Sequence, residues 1–165
     1  ISLQLELRHY SLSRLAQRIR DECVELEHIA ERTQEGWRRA QRQEDDFYID
    51  SVALNLHGFY SGVERIFFLI ATTVDGTGPE GNNWHQILLD RMASEHPPHR
   101  PAVISEETRA ALDEYRAFRH IVRNIYAFHF DESKIQTIVE RLPATFAKMR
   151  DEVLSFAEFL VLHRD

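Results

Sequence analysis

Hydrophobic residues recur every three or four positions along most of the chain, with charged residues between them, which is the period of an amphipathic helix. The first run extends from roughly Leu5 to Arg42 and predicts a long first helix, which would span about 55 Å. We expect this helix to end at Gly36 or at the acidic residues 44–46. Its apolar positions include Leu12, Leu15, Ile19, Cys23, Leu26, Ala30 and Trp37.

The same periodicity predicts a second and a third helix. The second covers about Asp46 to Val74. Its small residues Gly58, Ser61 and Gly62 would let a neighbouring helix approach closely. A glycine-containing loop at 76–83 then precedes a short third helix of about Trp84 to Glu95.

Two further helices complete the predicted fold. Ser105, followed by two acidic residues, is a strong start for a fourth helix that reaches about Tyr126 or Phe128. Asp131 or Ser133 would cap a fifth helix, which Pro143 should kink or split. We therefore predict an all-α fold, an up-down bundle of four or five helices.

Composition limits the class of protein. A chain of 165 residues with 43% hydrophobic content predicts one domain over residues 1–165 with a buried core. Cys23 lies on an apolar stripe and is expected in that core. A single cysteine indicates no disulfide framework and a cytoplasmic setting. No apolar run approaches the ~18 residues that cross a bilayer, so no membrane association is predicted.

Charge and histidine content exclude several kinds of site. The net charge of −7 argues against sequence-blind binding of duplexes through a basic surface, although a local basic cleft is compatible with it. The nine histidines lack the spacing of a metal site, and no glycine-rich phosphate loop follows a strand. We therefore predict neither a metal nor a cofactor.

The strongest chemical signal lies near the end of the fourth helix. A helical projection places its apolar residues on one side and Arg116, Arg119, His120, Arg123 and Asn124 on the other, with Tyr126 beside Arg119. Guanidinium groups can stabilise the charge of a phosphorane, and a group titrating near neutrality can move the 2′-hydroxyl proton of RNA. The simpler interpretation is a solvated face of an amphipathic helix.

Arg119, Asn124 and Tyr126 stand where the motif R-x-x-x-x-H-x-Y has arginine, histidine and tyrosine. On this basis the chain resembles the HEPN superfamily, and more closely its HepT-like branch of toxin–antitoxin ribonucleases. The resemblance implies a metal-independent endoribonuclease toxin, a homodimer whose two motifs line one cleft, and a nucleotidyltransferase antitoxin as partner. It also implies that Tyr126 is the residue to which that partner adds adenylate.

The departure from the motif falls on the presumed catalytic histidine, which is Asn124 here. Asparagine has no proton that titrates near neutrality, and the loss of a general acid or base typically costs ~10²–10⁴-fold in rate. Two replacements are open. His120 could take the role, or the motif could be read from Arg123 to His129, which lacks the tyrosine because Phe130 follows.

Two functions therefore remain open for the chain. One is a HepT-like toxin that cleaves RNA with a degenerate motif. The other is a non-catalytic HEPN module that binds a nucleotidyltransferase or nucleic acid. Tyr60, Ser61 and Glu64 are weaker candidates to line a cleft between helices. Trp84 and His85 are a candidate partner-binding or capping feature, with a packed tryptophan as the simpler interpretation.

Overall fold

The computed structural model describes residues 3–124 and 131–163, apart from the side chains of His120, Ile121, Arg123 and Asn124. It contains five α-helices and no strand in these residues. The helices are α1 (Leu3–Gln43), α2 (Phe47–Ile70), α3 (Trp84–Met92), α4 (Glu106–Asn124) and α5 (Glu132–Leu162). Helix α2 is followed directly by a π-helical stretch, Ala71–Asp75. The predicted all-α bundle with a long first helix is confirmed.

The helix ends follow the capping residues of the sequence. The Ser105 hydroxyl accepts a hydrogen bond from the Thr108 backbone N–H at 3.2 Å, at the start of α4. Asp131 caps α5 by accepting from the Ser133 N–H at 3.0 Å. Helix α1 continues through Gly36 to Gln43, so its end lies at the acidic residues rather than at the glycine.

Helix α2 lies at the centre of the bundle. It packs against α1, α3, α4 and α5, and α1 packs in addition against α5. The side chains between the helices form one continuous apolar core, in which Cys23 is buried as expected. In the described part of the chain, no helix is both long and apolar enough to cross a membrane.

Close approach between α1 and α2 depends on one of the small residues in α2. A Cβ atom added at Gly62 would lie 2.6 Å from Cδ2 of Leu26, far inside van der Waals contact. A Cβ atom at Gly58 would meet no atom within 4 Å. The expected close approach is therefore confirmed at Gly62, and at Gly58 it is wrong.

Pro143 does not split α5, because other helices replace the hydrogen bonds that proline disturbs. Proline has no N–H and cannot donate to the carbonyl four residues earlier, which belongs to Val139. The side chain of Gln34 in α1 donates from Nε2 to that carbonyl at 2.6 Å. The hydroxyl of Tyr115 in α4 donates to the preceding carbonyl, that of Ile138, at 2.9 Å. The turn of α5 before Pro143 is thus bonded to both α1 and α4.

A buried ion pair fixes the connection between α3 and α4. Arg100 donates from Nε and Nη2 to the two carboxylate oxygens of Asp75 at 2.7 and 2.9 Å, and both side chains are fully buried. Its Nη1 donates to the backbone carbonyls of Ser94 and Pro101. The bidentate pair therefore holds the connector against the end of the π-helical stretch.

Substitution of the two α2 glycines should have opposite effects. We expect Gly62→Ala to lower the free energy of unfolding by about 1–3 kcal/mol, because the new methyl group collides with Leu26. Gly58→Ala is the matched control and should raise the stability by up to about 1 kcal/mol, since alanine is the better helix former in open space. Urea unfolding checks both, and equal destabilisation by the two would contradict the helix contact.

The role of Gln34 can be tested against Pro143 in a double-mutant cycle. Gln34→Ala should cost about 1–3 kcal/mol, because it leaves the Val139 carbonyl buried without a donor. In a Pro143→Ala background the new N–H can donate to that carbonyl, so the same substitution should cost clearly less. Gln136→Ala, on the exposed side of α5, is the control. Equal costs of Gln34→Ala in both backgrounds would refute the compensation.

Candidate functional site

Arg119, the arginine of the sequence motif, is held by a carboxylate on another helix. Its Nη1 donates to Oε1 of Glu64 in α2 at 2.7 Å. The Glu64 side chain is 7% exposed and that of Arg119 18%, so the ion pair is largely shielded from water. The Nε of Arg119 is buried and has no hydrogen-bond partner in the part of the chain that the structure describes. The guanidinium therefore keeps donor capacity that Glu64 does not use.

His85, from the first turn of α3, contacts the same carboxylate. Its Nδ1 lies 2.6 Å from Oε2 of Glu64 and 3.1 Å from Nη1 of Arg119. A carboxylate only accepts hydrogen bonds and a guanidinium only donates them. The shorter contact with Glu64 therefore assigns the proton to Nδ1, and the contact with Arg119 brings two donors side by side. Glu64 thus uses one oxygen for α4 and the other for α3.

Aromatic rings hold the imidazole from the other side. The rings of Trp84 and His85 lie with centroids 3.6 Å apart at an angle of 30°. Trp84 meets the edge of Phe68, which lies one turn after Glu64 in α2. The loop before α3 passes over Phe68 at Gly78, where a Cβ atom would approach that ring to 3.2 Å. A glycine at this position therefore lets the loop carry His85 up to Glu64.

Tyr60 lies one turn before Glu64 and is almost completely buried. Burial raises the pKa of its hydroxyl, and the negative charge of Glu64 raises it further, against weaker opposing effects of Arg116 and Arg119. The hydroxyl therefore stays protonated near neutral pH and does not serve as a general base. Glu64 lies where α2, α3 and α4 meet. The expectation that Tyr60, Ser61 and Glu64 line a cleft between helices stays a prediction.

Of the remaining polar residues predicted for the site on α4, the structure describes the side chain of Arg116. Arg116 lies one turn before Arg119 and donates from Nε to Asp113 at 2.7 Å. His120, Arg123 and Asn124 belong to α4, but their side chains are outside the described set.

Tyr126 and His129 also lie outside the described residues. Their proposed roles therefore stay predictions. The sequence pattern gave little weight to Glu64, and it indicated Trp84 and His85 as a partner-binding or capping feature or a packed tryptophan, without a link to Arg119.

The arrangement combines a cation with an oriented imidazole. A guanidinium can stabilise the negative charge that develops on a phosphate, and an imidazole with Nδ1 bonded to a carboxylate presents Nε2 for proton transfer. In residues 3–124 and 131–163, no group of three or more His, Cys, Asp or Glu side chains is arranged to hold a metal ion.

The family model for HepT-like proteins matches residues 51–160, two thirds of the chain. The chain belongs to the HepT-like branch of the HEPN superfamily. The matched range of this HepT-like protein contains Glu64, His85 and Arg119, whereas α1 precedes it. No curated protein and no solved structure matches the sequence.

The shared carboxylate predicts an order of stability losses at this site. Glu64→Ala should lower the free energy of unfolding by about 3 kcal/mol, because it leaves the shielded Arg119 charge without its partner. His85→Ala should cost about 1 kcal/mol, since the ion pair with Arg119 remains. Glu114→Ala, which removes an exposed partner of Arg141, is the control and should cost less than about 1 kcal/mol. Urea unfolding would contradict the assignment if Glu64→Ala cost no more than the control.

Proposed function

We propose that this HepT-like protein is the toxin of a prokaryotic toxin–antitoxin pair and cleaves RNA in the cytoplasm without a metal ion. The observation that supports the proposal is the position of Arg119. The motif arginine lies at a junction of three helices, beside an imidazole that a buried carboxylate orients. This is the combination of charge stabilisation and proton transfer that RNA cleavage by the neighbouring 2′-hydroxyl needs.

In the proposed reaction the 2′-hydroxyl attacks the adjacent phosphorus, and the bond to the 5′-oxygen breaks. Arg119 stabilises the charge on the phosphorane. His120 or His129 takes part in proton transfer, and Asn124 orients the reacting groups. Tyr126 contacts the substrate, or carries the adenylate that a nucleotidyltransferase antitoxin adds. These roles follow from the match to the family motif.

The proposal includes a homodimer in which two copies of the motif line one RNA path. Arg116, Arg119 and Arg123 from each copy would contribute guanidinium groups to that path. The partners of these arginines limit its positive charge. Arg119 is paired with Glu64, and Arg116 is paired with Asp113. A phosphate would therefore meet partly neutralised guanidinium groups, and much of the RNA affinity must come from other contacts.

A second function is supported by the same ion pair. Arg119 closes a contact between α2 and α4 and so has a structural role that needs no substrate. Together with asparagine at position 124, this favours a non-catalytic module that binds a nucleotidyltransferase or nucleic acid. Cleavage assays separate the two functions, because only the toxin turns over RNA.

The test is incubation of the purified protein with RNA in EDTA. We expect cleavage that leaves a 2′,3′-cyclic phosphate, and no cleavage of RNA with 2′-O-methyl groups. Arg119→Lys keeps a cation beside Glu64 but loses the planar fork, and should lower the rate about 10²–10³-fold. Arg38→Ala, on α1 outside the family match, is the control and should be as active as wild type.

Two results would contradict the toxin proposal. If wild type is inert and Asn124→His gains activity, the chain is a degenerate, non-catalytic module. If neither protein cleaves RNA, the ribonuclease function is refuted altogether.

A further inference from the structure

We propose that His85 is the catalytic proton-transfer residue of this site and that Glu64 is its positioning residue. The inference deepens the proposed ribonuclease function and rests on it. It assigns the role that Asn124 cannot perform to a side chain outside the motif, on α3 instead of α4. Four features support it: the contact of Nδ1 with Glu64, the packing of the ring on Trp84, its contact with Arg119, and a second nitrogen with no hydrogen-bond partner among the described residues.

The carboxylate defines the tautomer of the ring. Because Nδ1 donates to Oε2 of Glu64, the neutral imidazole has its lone pair on Nε2. This second nitrogen has no hydrogen-bond partner among the described residues, and 26% of the His85 side chain is exposed. The side chain is therefore partly open to a substrate. A carboxylate that holds one nitrogen also stabilises the imidazolium that forms when the other accepts a proton.

The ring is held in place before any substrate binds. Trp84 covers one face at a centroid distance of 3.6 Å, and Phe68 supports Trp84 from the α2 side. Glu64 is itself fixed by Arg119 and is buried. An imidazole with both its face and one nitrogen engaged loses little freedom on reaction, which is what preorganised proton transfer requires.

The imidazole and the guanidinium lie next to each other. Only 3.1 Å separates Nδ1 of His85 from Nη1 of Arg119, and both atoms contact Glu64. A phosphate that binds the guanidinium would therefore lie close to the imidazole ring. The Nε of Arg119 is buried, so a phosphate would reach the guanidinium through the part of the side chain that is exposed, 18%. Part of the His85 side chain is exposed as well, 26%.

The step balances without a further reactant. Nε2 of His85 takes the proton of the 2′-hydroxyl while the 2′-oxygen forms its bond to phosphorus. The bond from phosphorus to the 5′-oxygen breaks, and that oxygen takes a proton from water. The imidazolium then returns its proton to water. The products are a 2′,3′-cyclic phosphate and a 5′-hydroxyl, with no change in oxidation state.

The histidines can be compared by single substitutions on the RNA cleavage assay. His85→Gln keeps a hydrogen-bond donor for Glu64 but cannot titrate, and should lower kcat about 10²–10⁴-fold with little change in KM. His28→Gln, on an exposed position of α1, is the matched control and should leave kcat unchanged. Added imidazole should restore part of the activity of His85→Ala. Full activity of His85→Gln, with loss in His120→Gln or His129→Gln, would overturn the inference and leave the ribonuclease function intact.

The tautomer gives a readout that does not depend on cleavage. In ¹⁵N NMR spectra of the wild type, His85 should show a protonated Nδ1 and an unprotonated Nε2, and Glu64→Gln should shift the ring towards the other tautomer. Glu64→Gln should also lower kcat, with little change in KM. A wild-type His85 protonated on Nε2 alone would refute the positioning by Glu64. Wild-type protein that cleaves no RNA would overturn both the proposed function and this role.

Discussion

The geometry of the site depends on the two contacts that the carboxylate of Glu64 makes, one with Arg119 and one with His85. A buried carboxylate is costly unless donors surround it, and here each of its oxygens takes a donor from a different helix. Arg119 brings the end of α4 to α2, and His85 brings the start of α3 to the same point. The three helices therefore meet at one side chain, and the distance between guanidinium and imidazole follows from the size of a carboxylate.

The position of Glu64 depends in turn on how α2 is seated. Two residues before it, Gly62 lets the backbone of α2 approach Leu26 of α1. Tyr115 and Gln34 donate hydrogen bonds to the carbonyls of Ile138 and Val139 before Pro143, so α4 and α1 are both tied to α5. Helix α4 is thus fixed at Tyr115 by α5 and at Arg119, one turn later, by α2.

Local features of the sequence predict the helices well. The apolar period sets the extent of α1, and the caps at Ser105 and Asp131 mark the starts of α4 and α5. These signals act within a few residues. The continuity of α5 could not be predicted in this way, because the donor that compensates for Pro143 comes from Gln34, 105 positions away.

The site shows the same limit. The motif predicts Arg119 as a site residue, because all motif residues lie within one short segment of the sequence. Glu64 and His85 lie 55 and 34 positions from it and belong to no common spacing pattern, so only the packing of α2, α3 and α4 brings them together.

The ion pair of Arg119 with Glu64 limits how the same guanidinium could bind a phosphate. A guanidinium has five N–H donors, and the ion pair with Glu64 occupies a donor on Nη1. Because Nε is buried, a phosphate that binds without displacing the carboxylate would have to use the remaining donors on the Nη atoms. Displacement would be costly, because Glu64 would lose its cation and His85 would lose an oriented acceptor. In the proposed ribonuclease a substrate would therefore add to the Arg119–Glu64–His85 cluster, and loss of the acid would disturb both the cation and the imidazole.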